Sequence, residues 1–189
     1  MGISMEGLTD ELLVEAVKSG DDDAFAELVR RYKRKVLRTA SRFAQGGFEL
    51  EDIGQDVFMK VYQNIGGYRG DAPFEHWLMR IAVRTCYDFL KSKRQEKLNI
   101  PLDSVDFSLE GPENSDSVSA LQAKDTLDRA MSRLKPEDRL VITLLELEGY
   151  TIKELARLTG WSEPKVKVRA FRARKALKTI LGVEDENQG

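Results

Sequence analysis

The sequence predicts an all-α protein of two small helical domains joined by a flexible acidic linker. Apolar residues recur every three or four positions along most of the chain, the period of an amphipathic helix. No stretch holds the period-two alternation of a half-buried strand. Over residues 97–119 the helical period lapses, Pro101, Gly111 and Pro112 intervene, and five acids face one lysine. The chain has 189 residues, room for one large domain or two small ones, and the lapse divides it. The expected parts are a helical domain over 9–96, the linker over 97–119, a second domain over 120–181 and a disordered acidic tail over 182–189.

The first domain opens at Thr9-Asp-Glu, an N-cap followed by first-turn acids, and Gly20 closes that helix. Asp21 to Asp23 cap a longer helix whose apolar side is Phe25, Leu28, Val29, Tyr32, Val36 and Leu37, extending to the Gly46-Gly47 break. Residues 49–65 place Leu50, Ile53, Val57, Val61 and Ile65 on one stripe. The opposite face carries Glu51, Asp52, Gln55, Asp56 and Met59, and two readings stand open for it, a solvated surface or a docking surface. Gly54 lies mid-helix, where it costs about 1 kcal/mol relative to Ala.

Residues 66–73 are the most glycine-rich turn of the chain and contain Tyr68 and Arg69. Pro73 starts a helix with an inner face of Phe74, Trp77, Leu78, Ile81, Thr85 and Phe89. Its other side bears Arg80, Arg84, Lys91, Lys93 and Arg94 against a single acid, Asp88. Aromatics interleaved with cations beside a loop suit single-stranded nucleic acid, where bases stack and phosphates pair. The same aromatics suit a core, which is where Phe74 and Trp77 are expected; Tyr68 and Arg69 are the stronger binding candidates. His76 falls on the surface and Cys86 reads as a small buried hydrophobe.

In the second domain Leu121, Leu127, Ala130, Met131 and Leu134 form one stripe, and Pro136 opens a helix rich in Leu140, Val141, Ile142, Leu144, Leu145 and Leu147. Thr151 and Glu154 then make a capping box for a short helix ended by Gly160. Ser162 caps the next helix, with Pro164 in its first turn. That last helix buries Val166, Ala170, Ala173, Leu177 and Ile180, while residues 165–178 hold seven cations in fourteen positions and no acid. An ordinary solvated helix face intersperses acids for i,i+4 pairing. Two short helices about a glycine turn, the second this basic, describe a DNA-binding helix-turn-helix packed on the preceding helix in a four-helix domain.

Composition narrows the classes. One His and one Cys cannot furnish an ordinary zinc site, and no phosphate loop or Ser-His constellation is present, so neither enzyme activity nor a cofactor is expected. A single cysteine and the absence of a long apolar run or signal-like N-terminus point to a reducing, cytoplasmic setting without membrane insertion. Net charge is −2, yet residues 121–181 alone carry net +6, so the charge that attracts DNA is local.

Three blocks resemble the signatures of bacterial sigma factors, most closely the two-domain extracytoplasmic-function group. They are Asp52-Ile-Gly-Gln-Asp-Val-Phe58, Tyr68-Arg-Gly-Asp-Ala-Pro-Phe-Glu-His-Trp-Leu-Met-Arg-Ile-Ala82 and Arg172-Ala-Arg-Lys-Ala-Leu177. They follow the family's order over about residues 9–181, with the first domain resembling sigma region 2 and the second sigma region 4. The resemblance implies a subunit of RNA polymerase that recognises promoters and helps melt them, in service of a stress or envelope regulon. It implies that Asp52, Gln55, Asp56 and Phe58, with Met59 beside them, dock on the clamp helices of the largest polymerase subunit, the flap of the second largest meeting the other domain. It further implies that Tyr68, Arg69, Gly70, Asp71 and Phe74 form the loop for a flipped minus-ten base, with Trp77, Arg80, Arg84 and Lys91 along the melted strand. Lys165, Lys167, Val168, Arg169, Phe171, Arg172 and Lys175 match the minus-thirty-five reading positions. The acidic linker resembles the segment that threads the polymerase cleft, and an anti-sigma protein is an implied partner. Gly54 and Val168 depart from the usual pattern; Val168 offers a thymine methyl contact instead of a hydrogen bond. The rival readings are a stand-alone helix-turn-helix regulator and a helical adaptor, neither of which needs the loop-and-aromatic block from Tyr68 to Trp77.

Overall fold

A computed structural model describes residues 5–99 and 116–182. After a 3-10 turn at Met5–Gly7 come α1 (Asp10–Lys18), α2 (Asp22–Ala40), α3 (Gly47–Asn64), a second 3-10 turn (Ile65–Gly67) and α4 (Phe74–Asn99). Then follow α5 (Asp116–Arg133), α6 (Pro136–Ile142), a π-helical turn (Thr143–Leu147), α7 (Ile152–Thr159) and α8 (Glu163–Leu181). No strand occurs among the described residues. The chain packs as two compact units, the first running to Leu90 and the second taking most of the chain from Lys91 onward.

Local chemistry sets the helix starts. Thr9 and Asp21 accept hydrogen bonds from the backbone N–H of Leu12 (3.4 Å) and Ala24 (3.1 Å), so each satisfies one orphan donor of its helix. In the first unit α2 packs against α1 and α3, burying Leu13, Val14, Leu28, Val36, Ile53, Val57 and Val61. The long α4 is joined to α2 by the Tyr32–Phe74 ring pair (5.7 Å) and the Lys35–Glu75 ion pair. Gly54 has a packing reason: a Cβ there would lie 2.7 Å from Cδ2 of Leu37, so the glycine lets α2 and α3 close together. The helix-propensity loss at this position is therefore offset by close packing.

Buried Glu27 accepts from Arg30 (2.7 and 2.9 Å) and Arg31 (2.7 Å), while Arg31 also donates to Asp10 (3.0 Å) and to the Met5 carbonyl (3.1 Å). The hydrogen bonds from Arg30 and then Arg31 hold the Glu27 carboxyl at about 2, below its ordinary 4.5. A depressed carboxyl stabilises the fold fully above pH 4.5 and loses that contribution as pH falls toward 2. Thermal melts of Glu27→Gln and the parent protein should therefore differ at neutral pH and converge across that window. A gap that stays constant down to pH 2 would contradict the assignment.

The second unit centres on Met131, Leu134, Ile142 and Ala173, with Leu127, Ala176, Leu177 and Ile180 against them. Here α8 packs on α6 and α5. Glu154 accepts from the Thr151 N–H (2.8 Å) while the Thr151 hydroxyl accepts from the Glu154 N–H (3.2 Å), the reciprocal box expected for α7. Gly160 at φ +73° makes the left-handed turn between α7 and α8. Ser162 then caps α8 through the Lys165 N–H (3.4 Å).

Boundaries differ from the sequence expectations in three places. The second helix stops at Ala40 instead of reaching Gly46-Gly47, because residues 41–43 turn and bring Phe43 into the core. The third begins at Gly47, two residues early, with Gly46 outside it as the cap. The expected linker is helical at both ends, since α4 continues to Asn99 and α5 starts at Asp116. Nothing in the sequence stops α4 before Pro101. The rest of the linker, 100–115, and the tail beyond Gly182 lie outside the described residues.

Candidate nucleic-acid interface

Three exposed surfaces carry the candidate residues. On α8 the buried side holds Val166, Ala170 and Ala173, so the opposite side presents Val168, Phe171, Arg172 and Lys175. Phe171 is 67% exposed and Val168 48%, an apolar pair standing among cations. Lys167, Arg172 and Lys175 are exposed and make no ion pair among the described residues. The Lys165 ammonium sits 4.4 Å from the Trp161 ring centre, which orients it at the start of the helix.

Arg169 is a correction. It is half-buried and donates to the nearly buried Asp138 of α6 at 3.2 Å, so it fixes α8 on its neighbour instead of facing outward. Arg174 likewise reaches Glu146 at 2.6 Å from the other flank. The physical reason is angular: both lie to the side of the helix face centred on Val168. Arg169→Ala leaves the Asp138 carboxylate with its partner removed, at a cost of about 1–3 kcal/mol to the second unit. Denaturant melts should show that loss while base preference in duplex binding stays unchanged; a shifted preference with full stability would contradict it.

On α3 the exposed side is continuous. Phe48, Asp52, Gln55, Met59 and Tyr62 recur at three- and four-residue steps, with Glu51 and Asp56 flanking. Phe48 is 88% exposed and Met59 55%, while Phe58 is half-buried. Tyr62 is held by a hydrogen bond to Asp22 (3.1 Å) and an edge contact with Phe25 (4.9 Å). Sequence reading missed Phe48 and Tyr62. The glycine pair at 46–47 read as a break, so Phe48 fell outside the expected helix, although its spacing to Asp52 was the available signal.

The third surface joins the 68–73 loop to α4. Tyr68 is a correction: it is 7% exposed, its hydroxyl donates to the Ala72 carbonyl (2.6 Å), and its ring packs on Phe74 and Trp77. Phe74 is buried as well, so these two rings form the floor of the loop and do not project from it. An aromatic in a glycine-rich loop reads as exposed, but the loop folds back over its own tyrosine. Lys18 of α1 donates to the Tyr68 carbonyl at 3.0 Å and secures it. Arg69, Gly70 and Asp71 are exposed, as are Arg80, Arg84 and Lys91 along α4. Half-buried Trp77 lines a cleft of about 450 Å³ with Lys60, Asn64, Ile81, Arg84, Thr85 and Asp88. Lys60 donates to the Thr85 hydroxyl at 3.3 Å across it. Trp77 and Ile81, expected inside, thus edge an open cleft between α3 and α4. Burial raises the Cys86 thiol to about 12, consistent with an inert core residue. Among the described residues no acid, His and Cys group could hold a metal, and no helix is long and apolar enough to cross a membrane.

A helical unit with an exposed acid-and-apolar face and a cationic cleft, followed by a unit with a basic helix-turn-helix, is the arrangement of a sigma-70 factor. Residues 28–96 match Sigma-70 region 2 and residues 124–177 match Sigma-70 region 4, and the chain belongs to this family of promoter-recognising initiation factors. Within the family it falls in the extracytoplasmic-function group. The chain is 34% identical over 185 residues to the ECF RNA polymerase sigma-E factor of Escherichia coli K12, covering 91% of this chain and 94% of that one. Its fold is also that of CnrH, solved in complex with the cytosolic domain of CnrY, at a TM-score of 0.59 and 24% identity over 93% of this chain and 99% of that one. The sigma factor RpoE of Bartonella quintana, solved with the anti-sigma factor NepR, has the same fold at a TM-score of 0.56 and 20% identity over 85% and 98% of the two chains.

Proposed function

We propose that α3 docks the chain on the clamp helices of the largest subunit of core RNA polymerase through Asp52, Gln55, Asp56 and Met59, with Phe58 beneath them and Phe48 extending the face. The observation that carries this reading is the difference in composition between exposed faces. The α3 face combines carboxylates and an amide with large apolar groups, the mixture of a protein interface. The outward face of α8 combines unpaired cations with Val168 and Phe171, suited to phosphates and thymine methyls in a major groove. On this reading Lys165, Lys167, Val168, Phe171, Arg172 and Lys175 read the minus-thirty-five element, and Arg169 positions them. Arg69, Gly70 and Asp71 face the minus-ten strand, Tyr68 and Phe74 shape their loop, and Trp77, Arg80, Arg84 and Lys91 guide the strand along α4.

The flap of the second-largest subunit meets the second unit at an apolar groove of about 370 Å³ lined by Leu127, Met131, Ile142, Leu147, Leu177 and Leu181. The two units are the separate domains of the protein, and the acidic segment between them threads the polymerase cleft. The chain acts in the cytoplasm by binding alone, without catalysis, and an anti-sigma protein covers these faces until a stress or envelope signal releases it. Run-off transcription by core polymerase on a promoter library, with and without the chain, tests the reading. Discrete start sites that require the chain support it, and identical transcripts in both reactions oppose it.

A further inference from the structure

The most cationic run of the first unit belongs to none of these surfaces. Residues 28–48 contain seven cations and no acid. Arg30, Arg34 and Arg38 recur at four-residue steps on the exposed side of α2, away from buried Leu28, Val36 and Thr39, and Arg42 continues the row into the following turn. Within this run Glu27 pairs with Arg30 and Arg31, Asp10 with Arg31, and Glu75 with Lys35. Arg34 and Lys33 are exposed with no ion pair among the described residues.

We propose that this face of α2 is a second DNA-binding surface, which holds the phosphate backbone of duplex DNA without reading its sequence. The inference rests on the reading that the first unit meets promoter DNA. Two features favour nucleic acid over an acidic protein. None of the large apolar side chains that the described residues expose lies on α2, whereas protein interfaces gather aromatics and Met at their centre. Nucleic-acid interfaces are instead polar and strongly basic, and the row is chiefly arginine, whose planar fork grips phosphate in two places. Its spacing also fits. Four residues of helix rise about 6 Å, close to the roughly 7 Å advance of two phosphate steps, about 3.4 Å each, along one strand of B-DNA. The Lys35–Glu75 pair sets this face beside the first turn of α4 and the loop before it, so the duplex held here is the one bordering the melted segment.

The test uses the full chain carrying Arg34→Gln, Arg38→Gln and Arg42→Gln, which keep the stems and remove the charge. Binding of a labelled random-sequence duplex is followed across a salt series, and capture of core polymerase is measured without DNA. Each phosphate contact contributes about 0.9 to the slope of log affinity against log salt. The triple variant should therefore lose about 2–3 from the slope while core capture stays at the parent value. The double variant Lys33→Gln, Arg34→Gln repeats the comparison with a smaller change to the fold. An unchanged slope overturns the proposal, and so does lost core capture with the slope intact, which would assign the face to an acidic protein. If the parent chain supports no transcription with core polymerase, the underlying reading fails instead.

Discussion

Reversing Asp52 and Asp56 to lysine should abolish capture of a fragment carrying the polymerase clamp helices. Both carboxylates are exposed on α3 and support no part of the core, which is built from Ile53, Val57 and Val61 on the other side. Their replacement leaves the helix and its packing on α2 in place, so circular dichroism should be unchanged. At a docking face the effect is large, because opposed like charges cost several kcal/mol. Two reversals together weaken binding by on the order of a thousandfold or more. Phe48→Ser should weaken the same capture further and by a different route, through loss of an aromatic that is 88% exposed in the free chain. Retained capture by the folded double variant would remove α3 as the docking helix.

Arg172→Ala should reduce affinity for a minus-thirty-five duplex by about 1–3 kcal/mol and relax preference at one base pair. Arg172 is exposed on the outward face of α8 beside Phe171 and Val168, with no ion pair among the described residues to hold it back. Lys167→Ala is the contrasting case. A lysine that meets phosphate weakens all sequences alike and lowers the salt slope by about 1. Competition assays on single-base variants of the duplex separate the two behaviours. A uniform loss for Arg172→Ala would reassign it to the backbone.

Much of the architecture was legible because capping and periodicity are local. Thr9, Asp21, Thr151 and Ser162 sit at the starts of their helices as read, and Gly160 makes the turn of the helix-turn-helix. What escaped depends on side chains meeting across elements. Tyr68 folds under its own loop because Ala72, Phe74 and Trp77 surround it, and no spacing rule encodes that. Arg169 belongs to Asp138, 31 positions away, so its cation looked like its neighbours until α6 packed beside α8. Gly54 read as a propensity cost and a departure from the family pattern, since its value lies in room for Leu37. Phe48 was lost at a helix start two residues earlier than the glycine pair suggested.

The central claim is that promoter binding by this chain depends on polymerase, which separates it from a stand-alone helix-turn-helix regulator. The whole chain is net −2, while residues 121–181 are net +6 and the five acids of 97–119 directly precede them in the sequence. On the proposed reading those acids compete for the cations of α8 until the polymerase cleft draws them away. Fluorescence anisotropy on one promoter duplex at fixed salt measures this directly, with the full chain alone and with core polymerase added. The account predicts weak binding alone and tight binding with core. Equal, tight binding in both, on symmetric half-sites, would contradict it.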